Sequence, residues 1–269
     1  MTTMLDVTWW GGGPGARQRR RRPGLDELPW GPIAGPEERL REARAVWTHA
    51  AFLEYASAAA FAALARALLE AAAPIDLVAD VADIVVDELD HVETTARLVM
   101  ALGGAVPVAF DLAEVAPRSQ LSPALSDPRS RAVELAIVTS CVGESLSVPT
   151  LARARDTADE PLVHAVLRRL LADEPNHARI GFEILDWAAA ALSPSQREAL
   201  AAVAVTALRD HAALWLAPAC AACPPPVGLG GLDEATRAEL RHAARAKVVE
   251  PLVRRGIVLD EGALRAIAV

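Results

Sequence analysis

The sequence predicts an all-α protein. Alanine dominates a chain of 269 residues in which 52% are hydrophobic, and Ala, Leu, Arg and Glu are the strongest helix formers. Gly and Pro cluster between long stretches whose apolar residues recur at helical spacing. β-branched runs of strand length are scarce. The apolar content is enough for one sizeable core with a small appendage.

The elements follow in order from the breaks. Residues 1–36 carry Gly11, Gly12, Gly13, an arginine run and several prolines, and read as an irregular N-terminal arm with Trp9, Trp10 and Trp30 as anchors onto the body. Pro36 opens a first helix, with Glu37 and Glu38 at its positive end, and Pro74 stops it after Ala73. Asp76 can cap a second helix that stops at Gly103 and Gly104. Pro107, Pro117, Pro123 and Pro128 forbid a continuous helix over 105–128, leaving one long connection. A third helix runs from Arg129 to Asp156, and a fourth from Glu160 and Pro161 to Leu192. Ser193, Pro194 and Gln196 give a capping-box start to a fifth, reaching Ala217. Pro224, Pro225 and Pro226 break the chain, Asp233 starts a sixth helix, and a short helix follows Asp260. Helices one with two, and three with four, pair as short-loop hairpins. The expected architecture is a four-helix bundle with one long crossover over 37–192, and a helical extension over 193–269 packed on it.

Charge and cysteine usage exclude several classes. A net charge of -8 disfavours nucleic-acid binding by the chain as a whole. Arg17, Arg19, Arg20, Arg21 and Arg22 read as a solvated basic tail, because Pro23, Gly24, Leu25, Asp26 and Glu27 follow where an export signal needs an apolar region. Cys220 and Cys223 form a lone CxxC without the second pair a structural zinc requires, and three cysteines suit a reducing cytoplasm. Residues 50–69 are apolar and long enough to span a bilayer, but Glu54 sits among them and the flanks are helical, so a buried bundle helix is expected and no membrane.

Each of the four long helices holds one Glu near its middle in apolar sequence: Glu54 in Phe52-Leu53-Glu54-Tyr55, Glu88 in Val86-Asp87-Glu88-Leu89, Glu144 in Val142-Gly143-Glu144-Ser145, and Glu174 in Ala172-Asp173-Glu174-Pro175. A mid-helix Glu facing a core is costly unless paired or bound to metal. His91 and His177 follow the second and fourth Glu by three residues, which places each pair on one helical face. Four carboxylates balance two divalent cations, and carboxylate with imidazole suits iron or manganese. Glu54 precedes Glu88 by 34 residues and Glu144 precedes Glu174 by 30, a near-repeat. A third Glu-x-x-His, Glu239 with His242, lies among Arg237, Arg241 and Arg245 and reads as a surface accident.

This order of Glu, Glu-x-x-His, Glu, Glu-x-x-His resembles the ferritin-like di-iron carboxylate superfamily over roughly residues 37–192. The Asp before each Glu-x-x-His is most similar to the oxygenase and desaturase branch. The resemblance implies that Glu54, Glu88, His91, Glu144, Glu174 and His177 are the metal ligands and the catalytic centre. Glu88 and Glu174 would bridge, Glu54 and His91 would serve one metal, and Glu144 and His177 the other. Asp87 and Asp173 would each accept a hydrogen bond from the His of the opposite pair. It implies two iron ions, with manganese as the alternative, and a di-iron oxygenase or oxidase that activates O2 to oxidise a small organic substrate. An electron donor is implied as partner, and a homodimer is left open. The alternatives are a ferroxidase, a rubrerythrin-like or di-manganese catalase-like peroxide scavenger, and a non-catalytic helical interaction module with a vestigial site. Some residues depart from branches of the family. Leu170 stands where arylamine N-oxygenases carry an extra His, Thr95 where reductase subunits carry a radical Tyr, and Pro175 should kink the fourth helix.

Overall fold

Prolines and capping side chains set the helix boundaries. In the computed structural model, α1 spans Glu37–Glu70 and α2 spans Ile75–Ala101. They pair along their length as a hairpin closed by Ala71–Pro74. Asp76 lies in the first turn of α2 rather than capping it; Pro74 occupies the cap position. The described residues are 2–4, 24–107, 109–111, 123–216 and 226–267. Trp9, Trp10, the Arg17–Arg22 run, Pro117, Ala217, Cys220, Cys223, Pro224 and Pro225 lie outside them.

The N-terminal arm is not wholly irregular. Thr2–Met4 (β1) pairs antiparallel with Ala109–Asp111 (β2), inside the long connection, so backbone hydrogen bonds tie the two segments. Trp30 anchors as expected: its indole N–H donates to the Leu25 carbonyl, and its ring lies 5.6 Å from the Arg97 guanidinium.

α3 spans Pro128–Thr157 and starts where Asp127 accepts from the amides of Arg129 and Ser130. Its middle, Ile137–Glu144, is π-helical, a wider winding that rotates the face presented afterwards. The expected continuous fourth helix is two helices. α4 spans Pro161–Leu170 and α5 spans Glu174–Ala188, with a turn over 171–173. The cause is Pro175. It has no N–H for the Leu171 carbonyl, and its ring crowds that carbonyl. Glu174 is therefore the first residue of α5, where a proline one position later is tolerated.

α6 spans Pro194–Leu216 and starts on the reciprocal box, with the Ser193 amide donating to Gln196 Oε1 and the Gln196 amide donating to Ser193 Oγ. α7 spans Glu234–Arg254 and α8 spans Glu261–Ala266, capped by Asp233 and Asp260. α6 packs on the π segment, and α7 on the last part of α3. The turn at 226–231 is stapled to α1, because the Trp47 indole donates to the Leu229 carbonyl at 2.7 Å. Gly230 has φ +94, and a Cβ there would stand 2.6 Å from the Trp47 ring, so the close approach requires glycine.

Two apolar clusters fill the interior. One gathers Phe61, Leu64, Leu68, Val81, Ile137, Ile180 and Ile184 with residues from α6 to α8; the other gathers Leu40, Trp47, Leu98, Val99, Val163, Val166 and Leu170. Phe61, Leu64 and Leu68 are fully buried, each stabilising the fold by about 1.5–3 kcal/mol relative to exposure. Between the clusters in sequence, on α1, α2, α3 and the α4–α5 break, lies a belt of buried polar residues that includes Glu88, His91, Glu144, Glu174 and His177. α1 and α3 are long and apolar enough by composition to cross a membrane, yet each directs one Glu into this belt.

Candidate metal centre

All six residues singled out by spacing meet in one place. Glu88, His91 and His177 form one group, Glu54, His91 and Glu174 a second, and Glu144, Glu174 and His177 a third, each with its ligand-type atoms within 4.8 Å of one another. Glu174 belongs to two groups, and each histidine to two. His91 Nδ1 lies 3.4 Å from Glu174, 3.6 Å from Glu54 and 3.8 Å from Glu88. His177 Nδ1 lies 3.0 Å from Glu88 and 3.9 Å from Glu174. The two imidazole rings are 5.6 Å apart, and the Phe61 ring sits edge-on to His177.

The far nitrogens face carboxylates from the other helical pair. His91 Nε2 is 3.4 Å from Asp173 Oδ2, and His177 Nε2 is 3.4 Å from Asp87 Oδ2. A carboxylate on that side holds a proton on Nε2, so that each ring aims its Nδ1 at the cluster and offers a lone pair there once the Nδ1 proton is lost. Spacing alone could not show this pairing, because each contact joins residues 82 or 90 apart in sequence.

The buried atoms at the centre lack the partners such groups normally have. Both oxygens of Glu88, Glu174 Oε2, His91 Nδ1 and His177 Nδ1 have no hydrogen-bond partner among the described residues. Even the 3.0 Å approach of His177 Nδ1 to Glu88 is misaligned for one. Orphaned polar atoms buried in a fold are rare and costly. A set of them from carboxylates and imidazoles, converging from four helical segments, fits a divalent cation as the missing partner.

Electrostatics agree. Burial, and then repulsion from Glu144, pushes Glu88 up to about 8. Burial and the same neighbour hold Glu174 well above the carboxylate range, and burial raises Glu144. Glu54 is lowered: burial opposes its ionisation, but His91 beside it outweighs burial. Burial would lower both histidines, yet Asp173 and Glu54 raise His91 well above its usual value, and Asp87 and Glu88 raise His177 to about 9. The protein alone thus offsets its crowded carboxylates with protons, which bound cations would displace.

Four side chains outside the sequence reading shape the centre. Ser57, one turn after Glu54, donates to Glu144 Oε1 at 3.0 Å. Its spacing of three from Glu54 is the signal that could have found it. Ser140 Oγ donates to the His177 carbonyl and accepts from the Gly181 amide at 2.8 Å, two groups that one helical hydrogen bond would join. It thereby fastens the π segment to α5 beside His177. A Cβ on Gly181 would stand 2.6 Å from Ser140 Oγ and 2.8 Å from Cys141 Sγ, so Cys141 serves close packing there. Arg169, half-buried, pairs with the buried Asp90 next to Asp173. By contrast Glu239 and His242 are exposed on α7, and Glu239 lies 3.9 Å from Arg153.

No family model, curated protein or solved structure matched the chain. The chemistry of the centre is therefore read from its own residues.

Proposed function

We propose that the chain is a ferritin-like di-iron protein acting as an oxygenase or oxidase on a small organic substrate in the cytoplasm. One observation carries the reading: six ligand-type side chains from four helical segments converge, and buried inner atoms of four of them, Glu88, His91, Glu174 and His177, have no hydrogen-bond partner among the described residues. Glu54, Glu88, His91, Glu144, Glu174 and His177 would hold two metal ions, and four carboxylates balance two divalent charges. When bound, the metal pair supplies two-electron chemistry toward O2, with electrons returned by a separate donor.

The chain's own residues do the rest. Asp173 and Asp87 orient the imidazoles from behind. Ser57 holds one oxygen of Glu144, so that carboxylate presents its other oxygen inward. Phe61 and the flanking apolar clusters keep water out, which strengthens every charge interaction in the centre. Apolar helices around the centre suit an organic substrate better than a growing mineral.

The test is metal loading under anaerobic conditions followed by mixing with O2. About two irons per chain and a single oxidation event per load are expected, since four carboxylates balance two divalent charges. Uptake of many irons with repeated oxidation would instead make the chain a storage protein. Peroxide disproportionation by the manganese form alone would make it catalase-like, and no metal uptake would leave a helical module with a vestigial site.

A further inference from the structure

Arg169 sits in the last turn of α4, four residues before Asp173. Its side chain is 12% exposed and forks between two carboxylates from different helical pairs. One guanidinium nitrogen donates to Asp90 on α2 at 2.9 Å, and another donates to Asp173 Oδ2 at 2.6 Å. That same Asp173 oxygen lies 3.4 Å from His91 Nε2. Asp90 is 2% exposed and directly precedes His91 in sequence. The contacts close a ring: Asp90 and His91 on α2, Arg169 on α4, and Asp173 in the turn between α4 and α5.

The turn gives this ring its purpose. Over 171–173 the regular helical ladder is interrupted, and Pro175 cannot restore it. The helix therefore does not by itself fix where Asp173 points. A contact across the break must do so, and Arg169 makes one on each side.

We propose that Arg169 is a positioning residue that ties the α4–α5 break to α2, fixing Asp173 against His91 and so orienting the His91 ring. The orientation of His91 stands by itself; its consequence for metal rests on the reading of the centre given above. Arginine is required for its planar fork, which spans two carboxylates in fixed geometry, where a lysine ammonium is a point charge on a flexible stem. Lysine would keep a positive charge between the two acids but would not hold Asp173 in place.

The experiment uses the full chain with 15N-labelled histidines, as wild type, R169K and R169Q, with H91Q for assignment. Without metal, R169K should melt close to wild type, while the His91 ring nitrogen signals shift and broaden and those of His177 stay. On cobalt titration, one of the two equivalents should weaken about 10–100-fold in R169K and the other should stay, the range seen when a ligand's supporting contact is lost. Unchanged His91 signals in R169K and R169Q overturn the proposal, as does equal weakening of both cobalt equivalents with a lowered melting temperature, which would make Arg169 a general brace. If R169Q fails to fold, R169K decides. Failure of wild type to take up cobalt sinks the metal reading instead, and the His91 signals still decide the role of Arg169.

Discussion

Raising the pH from 7 to 8 should tighten divalent metal binding on the order of 50-fold. Glu88 has a pKa of about 8 and His177 of about 9. Both must shed a proton to act as ligands, and the metal-bound form holds neither proton. The sign follows: the metal-free centre is the more protonated state, so binding strengthens as pH rises through the range in which Glu88 and His177 lose their protons. Between pH 7 and 8 the deprotonated fraction of Glu88 rises roughly 5.5-fold and that of His177 roughly 9-fold, and their product is the expected change. Glu174 and His91, also raised, steepen the dependence. Anaerobic titration with Mn(II) or Co(II) at several pH values measures it. Calorimetry in buffers of different ionisation enthalpy should count about two or more protons released on loading. An affinity that is flat over this interval, or that falls with pH, would refute the argument that protons stand in for the cations.

Asp87→Ala and Asp173→Ala should each weaken metal affinity about 10–100-fold while helical circular dichroism is retained, because each removes the acceptor behind one imidazole; wild-type affinity in both would show that neither carboxylate supports its imidazole as a ligand. Gly181→Ala drives a methyl to 2.6 Å from Ser140 Oγ and 2.8 Å from Cys141 Sγ, so chemical denaturation should show a loss of about 1–3 kcal/mol. A neutral result there would mean that α5 and the π segment are free to separate. Glu239→Gln with His242→Gln should leave metal stoichiometry at the wild-type value, since both side chains are exposed; a lost equivalent would show that burial does not separate ligand motifs from coincidental ones.

Features that depend on local spacing were legible before any packing was known. Helix propensity and proline placement marked α1, α2, α3 and α6 to α8 within a few residues, because each boundary is set by groups within one turn of it. The same locality placed Glu88 with His91, and Glu174 with His177, on one face each. It also separated Glu239 and His242 from them, since an apolar run around a Glu is itself the signature of burial. Pro175 announced a disturbance, but not that the helix would part over 171–173 and move Glu174 to a helix start. How far a proline perturbs a helix depends on what else holds the ends, and here that is Arg169 reaching Asp90, 79 residues away. The π winding that delivers Glu144 gave no spacing signal either; it coincides with Ser140 bonding across to the backbone of α5. The cross-pairing of Asp173 with His91 and of Asp87 with His177 came to the sequence reading only through the family resemblance, and the distances between them exist only once two hairpins have packed. Local rules name which side chains are buried and which face they share. Which buried oxygen faces which ring is decided by helix rotation and offset, and these are fixed by the apolar clusters on either side of the centre.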